Sequence, residues 1–392
     1  MKKLLCILLS LSVLFCVPVS ATAEEPDALR FTDGEFTILH ITDPQDDRYA
    51  AYDLVNFVKL AISEFSPDLI VMTGDIVEDN RIGDLGIDGE SFREGVETND
   101  YNETLENVRV ATENFFSIIE EAGIPFAVAQ GNNDYNSGVT NEDWLEIYSS
   151  YEHSLTTDMS NDADGKIDYN LEILGSDGKT AFNIWMMDNG SGLSTEQIAW
   201  YESQSNELAQ ANGGNPVPSF VFQHVPVDDM GNLYEECSFY DEGAVSNGNK
   251  YYRLNKDIAS GDYAGSIVPG LTSEQFTSWK NQGDVLGAYF GHWHTTGITG
   301  TWDGIELGMT YGCEFAKTGP YGVRVFTLHE NDIENYDNEI YTYEGSVKKG
   351  NARFEIQVDE PYVEYDNFIA EFFGSIKNVF DFIIRAITGL LS

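Results

Sequence analysis

An α/β fold is predicted from three observations. Short apolar runs alternate with amphipathic helical stretches in the first third of the chain, those runs end in Gly, Asp or Asn, and the second half is richer in short strands. Phe36 to Ile41 reads as a strand, Tyr52 to Phe65 as a helix, and Asp68 to Thr73 as a second strand ending at Gly74-Asp75. Thr104 to Ala122 is a second helix, stopped by Gly123-Ile124-Pro125, and Phe126 to Ala129 is a third strand. This βαβαβ order implies a parallel sheet with right-handed crossovers. Further strands are predicted at residues 169–174, 181–187, 219–223, 285–290, 305–310 and 322–328, with helices at 195–208 and 273–282. Polar, Gly- and Asn-rich stretches at 81–101, 135–165 and 228–270 read as long surface loops, which either shape a site or are mobile.

With 392 residues and a hydrophobic fraction of 42%, the chain can bury a substantial core. Its formal net charge of -45 repels nucleic acid and anionic surfaces at long range, so no nucleic-acid binding is expected. A phosphate-bearing partner needs a local cation to approach, and a bound metal supplies one. Residues 1–23 combine Lys2 and Lys3, an apolar run from Leu4 to Val19 and Ala21-Thr22-Ala23, the three-part pattern of a secretory signal peptide. We therefore expect a secreted or cell-surface protein cleaved near Ala23, with a single domain over 24–364. Residues 365–392 are expected to form a C-terminal amphipathic helix. Its stripe includes Ile369, Phe372, Phe373, Ile376, Val379, Phe380 and Ile383, but only Lys377 and Arg385 are basic. Docking through residues 367–392 on the domain or a partner is favoured, with a membrane surface as the alternative. Cys6 and Cys16 lie in the leader; Cys237 and Cys313 remain, as a disulfide or as two free thiols.

The strand ends carry the chemistry. Three finish in Thr42-Asp43-Pro44-Gln45, Gly74-Asp75 and Gly131-Asn132-Asn133-Asp134, and two in histidine, at Gln223-His224 and Gly291-His292-Trp293-His294. Each alone reads as a cap or a satisfied polar group. As an ordered set, oxygen and imidazole donors from five strand ends converging on one edge are what a two-metal hydrolytic site requires. His40, His153 and His329 fall outside the series.

With these motifs the chain resembles the calcineurin-like metallophosphoesterases, whose motifs run D-x-H, G-D, G-N-H-D, a lone H, and G-H-x-H. The likeness covers about residues 35–330 and includes Met187-Asp188-Asn189-Gly190 before a stretch with Gln197 and Trp200. His224-Val225-Pro226 and the long insert before Gly291 place it nearest the secreted purple-acid-phosphatase-like branch. The resemblance implies a sandwich of two mixed β-sheets flanked by helices, with the site at the carboxyl ends of the strands. It implies two divalent or trivalent metal ions, iron, manganese or zinc. Asp43 and His294 would hold the first, Asp75 would bridge, and Asn132, His224 and His292 would complete the second. The implied reaction is hydrolysis of phosphate mono- or diesters by attack of a metal-bridging hydroxide, with Asp75, Asn133 and Asp134 as catalytic residues and Asn133 and Trp293 at the substrate. Trp293 also reads as a packing residue.

Two positions depart from the family. Gln45 stands where the family most often has a histidine ligand, and its amide oxygen is a weaker donor to a transition metal, so a looser first metal is expected. Asn133 replaces the histidine that contacts phosphate and protonates the leaving group, and an asparagine delivers no proton at neutral pH. The expected enzyme is slow on alkyl phosphates and faster on aryl ones. The alternative is an impaired relative that binds metal and a phosphorylated or anionic ligand.

Overall fold

Leu69-Ile70-Val71-Met72 is apolar without interruption, the pattern of a parallel strand covered on both faces. Its side chains divide by parity: Leu69 and Val71 join one core, Ile70 and Met72 another. The same division recurs in neighbouring strands and produces four layers. Two seven-stranded mixed sheets pack face to face, and helices cover both outer surfaces. The computed structural model describes residues 28–46, 52–78, 101–160, 165–190, 192–263, 267–268, 270–315 and 319–343, with the backbone of 347–349 and 352–354. The expected leader at 1–23, the C-terminal helix at 365–392 and most of the loop at 81–101 lie outside the described residues.

In chain order the first half contains β1 (Glu35–Ile41), α1 (Tyr52–Phe65), β2 (Leu69–Met72), α2 (Tyr101–Ala122), β3 (Phe126–Val128), α3 (Asn132–Asn136) and α4 (Asn141–Ser149). There follow β4 (Tyr169–Leu174), β5 (Thr180–Met187), α5 (Thr195–Ala211), β6 (Ser219–Gln223), β7 (Tyr234–Cys237), β8 (Val245–Asn247), β9 (Lys250–Leu254) and β10 (Ala259–Asp262). The remainder is α6 (Gln275–Gln282), β11 (Val285–Phe290), β12 (Gly297–Trp302), β13 (Ile305–Met309), β14 (Tyr321–His329), β15 (Asp337–Tyr343), β16 (Val347–Lys349) and β17 (Ala352–Phe354). One sheet has the order β17-β16-β15-β14-β1-β2-β3, with β1, β2 and β3 parallel as predicted. The other runs β10-β12-β13-β11-β6-β5-β4.

Between the sheets lie Phe36, Ile38, Phe220, Phe222, Tyr289, Phe326 and Leu328, all buried. Each such side chain contributes about 1.5–3 kcal/mol on burial. Parity carries the same inward direction on to His40, Thr73, His224 and Arg324, so the layer that holds the sheets together continues as a polar layer toward the strand ends.

Two of the expected loops are structured. Within 135–165, Thr140 caps α4 by accepting from the Asp143 amide, and Trp144, Ile147 and Tyr148 bury one face. Within 228–270, a 3₁₀ turn at Asp228–Leu233 leads to a small sheet, β7-β9-β8, and β10 joins the second large sheet. One face buries Tyr234 and Leu254 but also carries Glu236 and Lys250, so these strands lack the clean alternation that marks a half-buried strand. Cross-strand ion pairs, Arg253 with Glu235 and Lys250 with Glu236, supply part of their pairing. Cys237 on β7 and Cys313 after β13 are both free thiols.

Candidate metal centre

Three parallel strands of one sheet and two of the other run out at a common edge. Past β1 and β2 the chain pairs side by side, the Asp43 amide donating to the Gly74 carbonyl and the Gln45 amide to the Asp75 carbonyl. That register forces Asp43, Gln45 and Asp75 into positive φ, at 52°, 42° and 51°. His292, after β11, has φ 72°. Non-glycine residues in this region cost of order 1–3 kcal/mol each, and here they aim donor groups into one space. Glycine is required beside them: a Cβ on Gly131 would lie 2.2 Å from Asp75 Oδ1, and one on Gly291 would lie 1.9 Å from Thr42 Oγ1.

The donors form two groups that share Asp75. Asp75, His224 and His292 each offer an atom within 4.8 Å of the others, as do Asp43, Asp75 and His294. His224 Nε2 is 3.3 Å from Asp75 Oδ2, 3.1 Å from Asn132 Oδ1 and 3.2 Å from His292 Nδ1. The other nitrogen of His224 lies 2.6 Å from the Thr73 carbonyl, which only accepts, so Nδ1 carries a proton and Nε2 faces the donor cluster. His294 Nε2 is 3.1 Å from Asp43 Oδ1, and its Nδ1 is 2.7 Å from Glu314 Oε2. Asp43 Oδ1 is buried against His294 Nε2, whereas Oδ2 accepts from Thr42 and from the His292 amide. Lone-pair atoms gathered this closely fit metal cations.

The remaining expected residues are placed differently. Gln45 reaches the site, but its Nε2 amide is 2.9 Å from Asp75 Oδ2 and 3.3 Å from His294 Nε2. It presents a donor there, and coordination through Oε1 requires the amide to turn over. Asp134 is fully buried and accepts from the amides of Gly131 and Ile76. Through these bonds it holds the β2 and β3 ends together. The Asn133 amide donates to Asp75 Oδ1 at 2.7 Å, and its side-chain oxygen accepts from Asn132. Trp293 packs against the outer core of the second sheet with its ring edge-on to His292; these are packing contacts.

Residues 36–296 match the family profile described as calcineurin-like phosphoesterase. The chain belongs to the calcineurin-like phosphoesterase family. It is 25% identical over 339 residues, 75% of this chain and 74% of the relative, to an Arabidopsis thaliana protein named "Probable inactive purple acid phosphatase 14". Among solved structures it is similar to a dimetal phosphatase from Danio rerio, with 12% identity, 79% of this chain and 99% of that one covered, and a TM-score of 0.46. It is also similar to a purple acid phosphatase from yellow lupin, Lupinus luteus, with 12% identity, 79% and 54% covered, and a TM-score of 0.42.

Three further groups orient this phosphoesterase site: Asn189 and Gln197, which the sequence offered within a motif but without a role, and Glu314, which escaped the reading of the sequence. Glu314 lies just past β13, a sixth strand end with a carboxylate, and that position was its signal. Asn189 holds the loop after His224 with a reciprocal pair, donating to the Val225 carbonyl and accepting from its amide. Gln197 reaches back from α5 to the Asp168 carboxylate and the Asp188 carbonyl, which fixes the Asp188-Asn189 turn.

Charge in the metal-free site is strongly coupled. Burial pushes Asp43 up, but His294 and His224 outweigh it and hold the carboxyl well below its ordinary value. Burial pulls His224 down, yet Asp75, Asp43 and the Thr73 carbonyl carry it to about 9. Against the same burial, Asp43 and Glu314 carry His294 to about 10. Both folded values exceed the ordinary 6.5, so this contribution to stability is full below that pH and is lost as pH rises through 9 and 10. A metal must displace these protons. We expect Zn²⁺ binding to release about two protons per chain at pH 7 and to tighten as pH rises toward 9. Calorimetric titration in buffers of different ionisation enthalpy measures this, and binding without proton release contradicts it.

Proposed function

We propose that the chain is a secreted metal-dependent phosphoesterase acting on phosphate mono- or diesters. The observation that carries this reading is the pair of donor groups sharing Asp75. Asp43 and His294, with Gln45 once its amide turns, would hold one ion, and Asn132, His224 and His292 the other, with iron, manganese or zinc as candidates. When bound, the ions supply positive potential for the ester's phosphate and make water a stronger nucleophile at neutral pH. The chain's own part is orientation. Thr73 and Glu314 turn the imidazoles of His224 and His294, and Asp75 takes the Asn133 amide on one oxygen while the other faces the imidazoles. Asn133, its oxygen occupied by Asn132, leaves an N–H to steady a phosphoryl oxygen. The N-terminal pattern supports secretion. No helix among the described residues is long and apolar enough to cross a membrane.

A second reading, metal and anion binding without useful turnover, is favoured by Asn133, and the Arabidopsis relative is itself named as probably inactive. One experiment separates the two. The purified chain is assayed on an aryl phosphate and an aryl phosphodiester, before and after chelation, with bound metals counted by elemental analysis. About two metals per chain, activity lost on chelation and restored by metal, support the enzyme. Metals bound without turnover of either ester support the binding protein.

A further inference from the structure

Beneath the metal centre, the polar layer between the sheets forms one continuous chain of hydrogen bonds. Arg324 on β14 is paired across the strands with His40 on β1, and both are fully buried. Arg324 Nε is 3.0 Å from Thr310 Oγ1, Thr310 Oγ1 is 3.0 Å from His40 Nδ1, and His40 Nε2 is 2.9 Å from Thr73 Oγ1. Thr73 Oγ1 is 2.8 Å from Thr42 Oγ1, which is 2.7 Å from Asp43 Oδ2. Thr42, Thr73 and Thr310 are buried as well.

Proton counting gives this chain one direction. A guanidinium only donates, so Thr310 accepts from Arg324 and keeps its own proton available for His40 Nδ1. His40 is then the Nε2–H tautomer and donates to Thr73, Thr73 donates to Thr42, and Thr42 donates to Asp43. In the opposite tautomer Thr73 would donate to His40. The contact between the two threonine hydroxyls would then hold no proton, because Thr42 gives its own to Asp43. Burial and the adjacent guanidinium also hold the His40 imidazole well below its ordinary range, which keeps it neutral.

We propose that Arg324 is a positioning residue for Asp43, acting through Thr310, His40, Thr73 and Thr42; the inference rests on Asp43 being a metal ligand. Aligned donors running from a buried cation to a buried carboxylate strengthen one another. With the His292 amide they fix Oδ2, which turns Oδ1 toward His294 and the ion. The other side of the guanidinium is held by Thr299, Asn338 and the carbonyls of Ile298 and Met309, so its location is set from both sheets.

Because Arg324→Met removes a buried charge and several bonds at once, the test uses the middle of the chain. In the metal-free protein labelled with ¹⁵N-histidine, His40 is expected as the neutral Nε2–H tautomer at pH 7. A Nδ1–H or charged ring overturns the proposal. Thr310→Val, which cuts the link three hydrogen bonds before the Thr42–Asp43 contact, is expected to weaken Mn²⁺ binding about tenfold, and Thr310→Ser to stay within about threefold of the parent. Ser205→Ala, which removes a donor from the buried Asp284 elsewhere in the fold, is the control for general destabilisation and should leave Mn²⁺ affinity unchanged. Unchanged affinity in Thr310→Val, or equal losses in all three variants, also overturns it. A parent chain that takes up no Mn²⁺ counts against the metal reading, and the His40 tautomer then decides the relay by itself.

Discussion

Asp75→Asn is expected to lower kcat/KM for an aryl phosphate by about 10³-fold or more, because several kcal/mol of charge stabilisation depends on that carboxylate. Asp75 is the one residue common to both donor groups, and it is 1% exposed. An asparagine keeps the shape and can keep the bond from the Asn133 amide to Oδ1. It cannot keep the charge. At the Oδ2 position it also presents either a neutral oxygen or an N–H, and an N–H there would face the Gln45 amide, itself a donor 2.9 Å away. Two cations held close together repel, and losing the shared carboxylate removes much of the charge that offsets this, so the metal count should fall with the activity. Circular dichroism separates this outcome from unfolding. The metal-free variant should lose little stability above pH 9, where His224 is no longer charged, and more at neutral pH, where its imidazolium has lost its carboxylate partner. Activity within tenfold of the parent would remove Asp75 from the reaction.

What could be read from the sequence follows from where the signal is local. The β1 to β3 unit was legible because each strand is buried on both faces, so Leu69 to Met72 is apolar throughout. The crossover helices show a strong stripe, and Tyr52 to Phe65 has the predicted bounds. The series of candidate donors was legible because every member lies within about four residues of a strand end. The small sheet was not, because β7 to β9 mix charged and apolar residues on the same face, burying Tyr234 and Leu254 beside Glu236 and Lys250, so the strand period is blurred. Nor was β12, where Gly297-Ile298-Thr299-Gly300 alternates small and apolar residues too weakly to mark a strand. Glu314, Thr310 and Arg324 were missed for a third reason. Their partners are tens to hundreds of residues away: the packing of one sheet on the other brings Thr310 to His40, and the parallel pairing of β11 with β13 brings Glu314 to His294.

Asn133 sets the second large effect. Its backbone position is secured independently of its side chain by the bond from its amide to Asp75 Oδ1, so Asn133→His should change the chemistry without moving the chain. In the parent, no imidazole occupies this position to protonate the departing oxygen, and rates should fall steeply as the leaving group becomes more basic. A phenolate leaves without much help; an alkoxide does not. Asn133→His is therefore expected to raise turnover of an alkyl phosphate by about 10²–10⁴-fold, the usual worth of general acid catalysis, while changing an activated aryl phosphate much less. The readout is the slope of rate against leaving-group pKa for both proteins on one series of esters. A parent slope already shallow, and unchanged in Asn133→His, would mean that another group supplies the proton. Asp188, buried beside Tyr135 and raised by burial to about 6, is then the carboxyl to substitute next. A parent inactive on every ester, with turnover appearing only in Asn133→His, would mean instead that the site is kept for binding. The asparagine would then be the single residue that separates a binding protein from an enzyme.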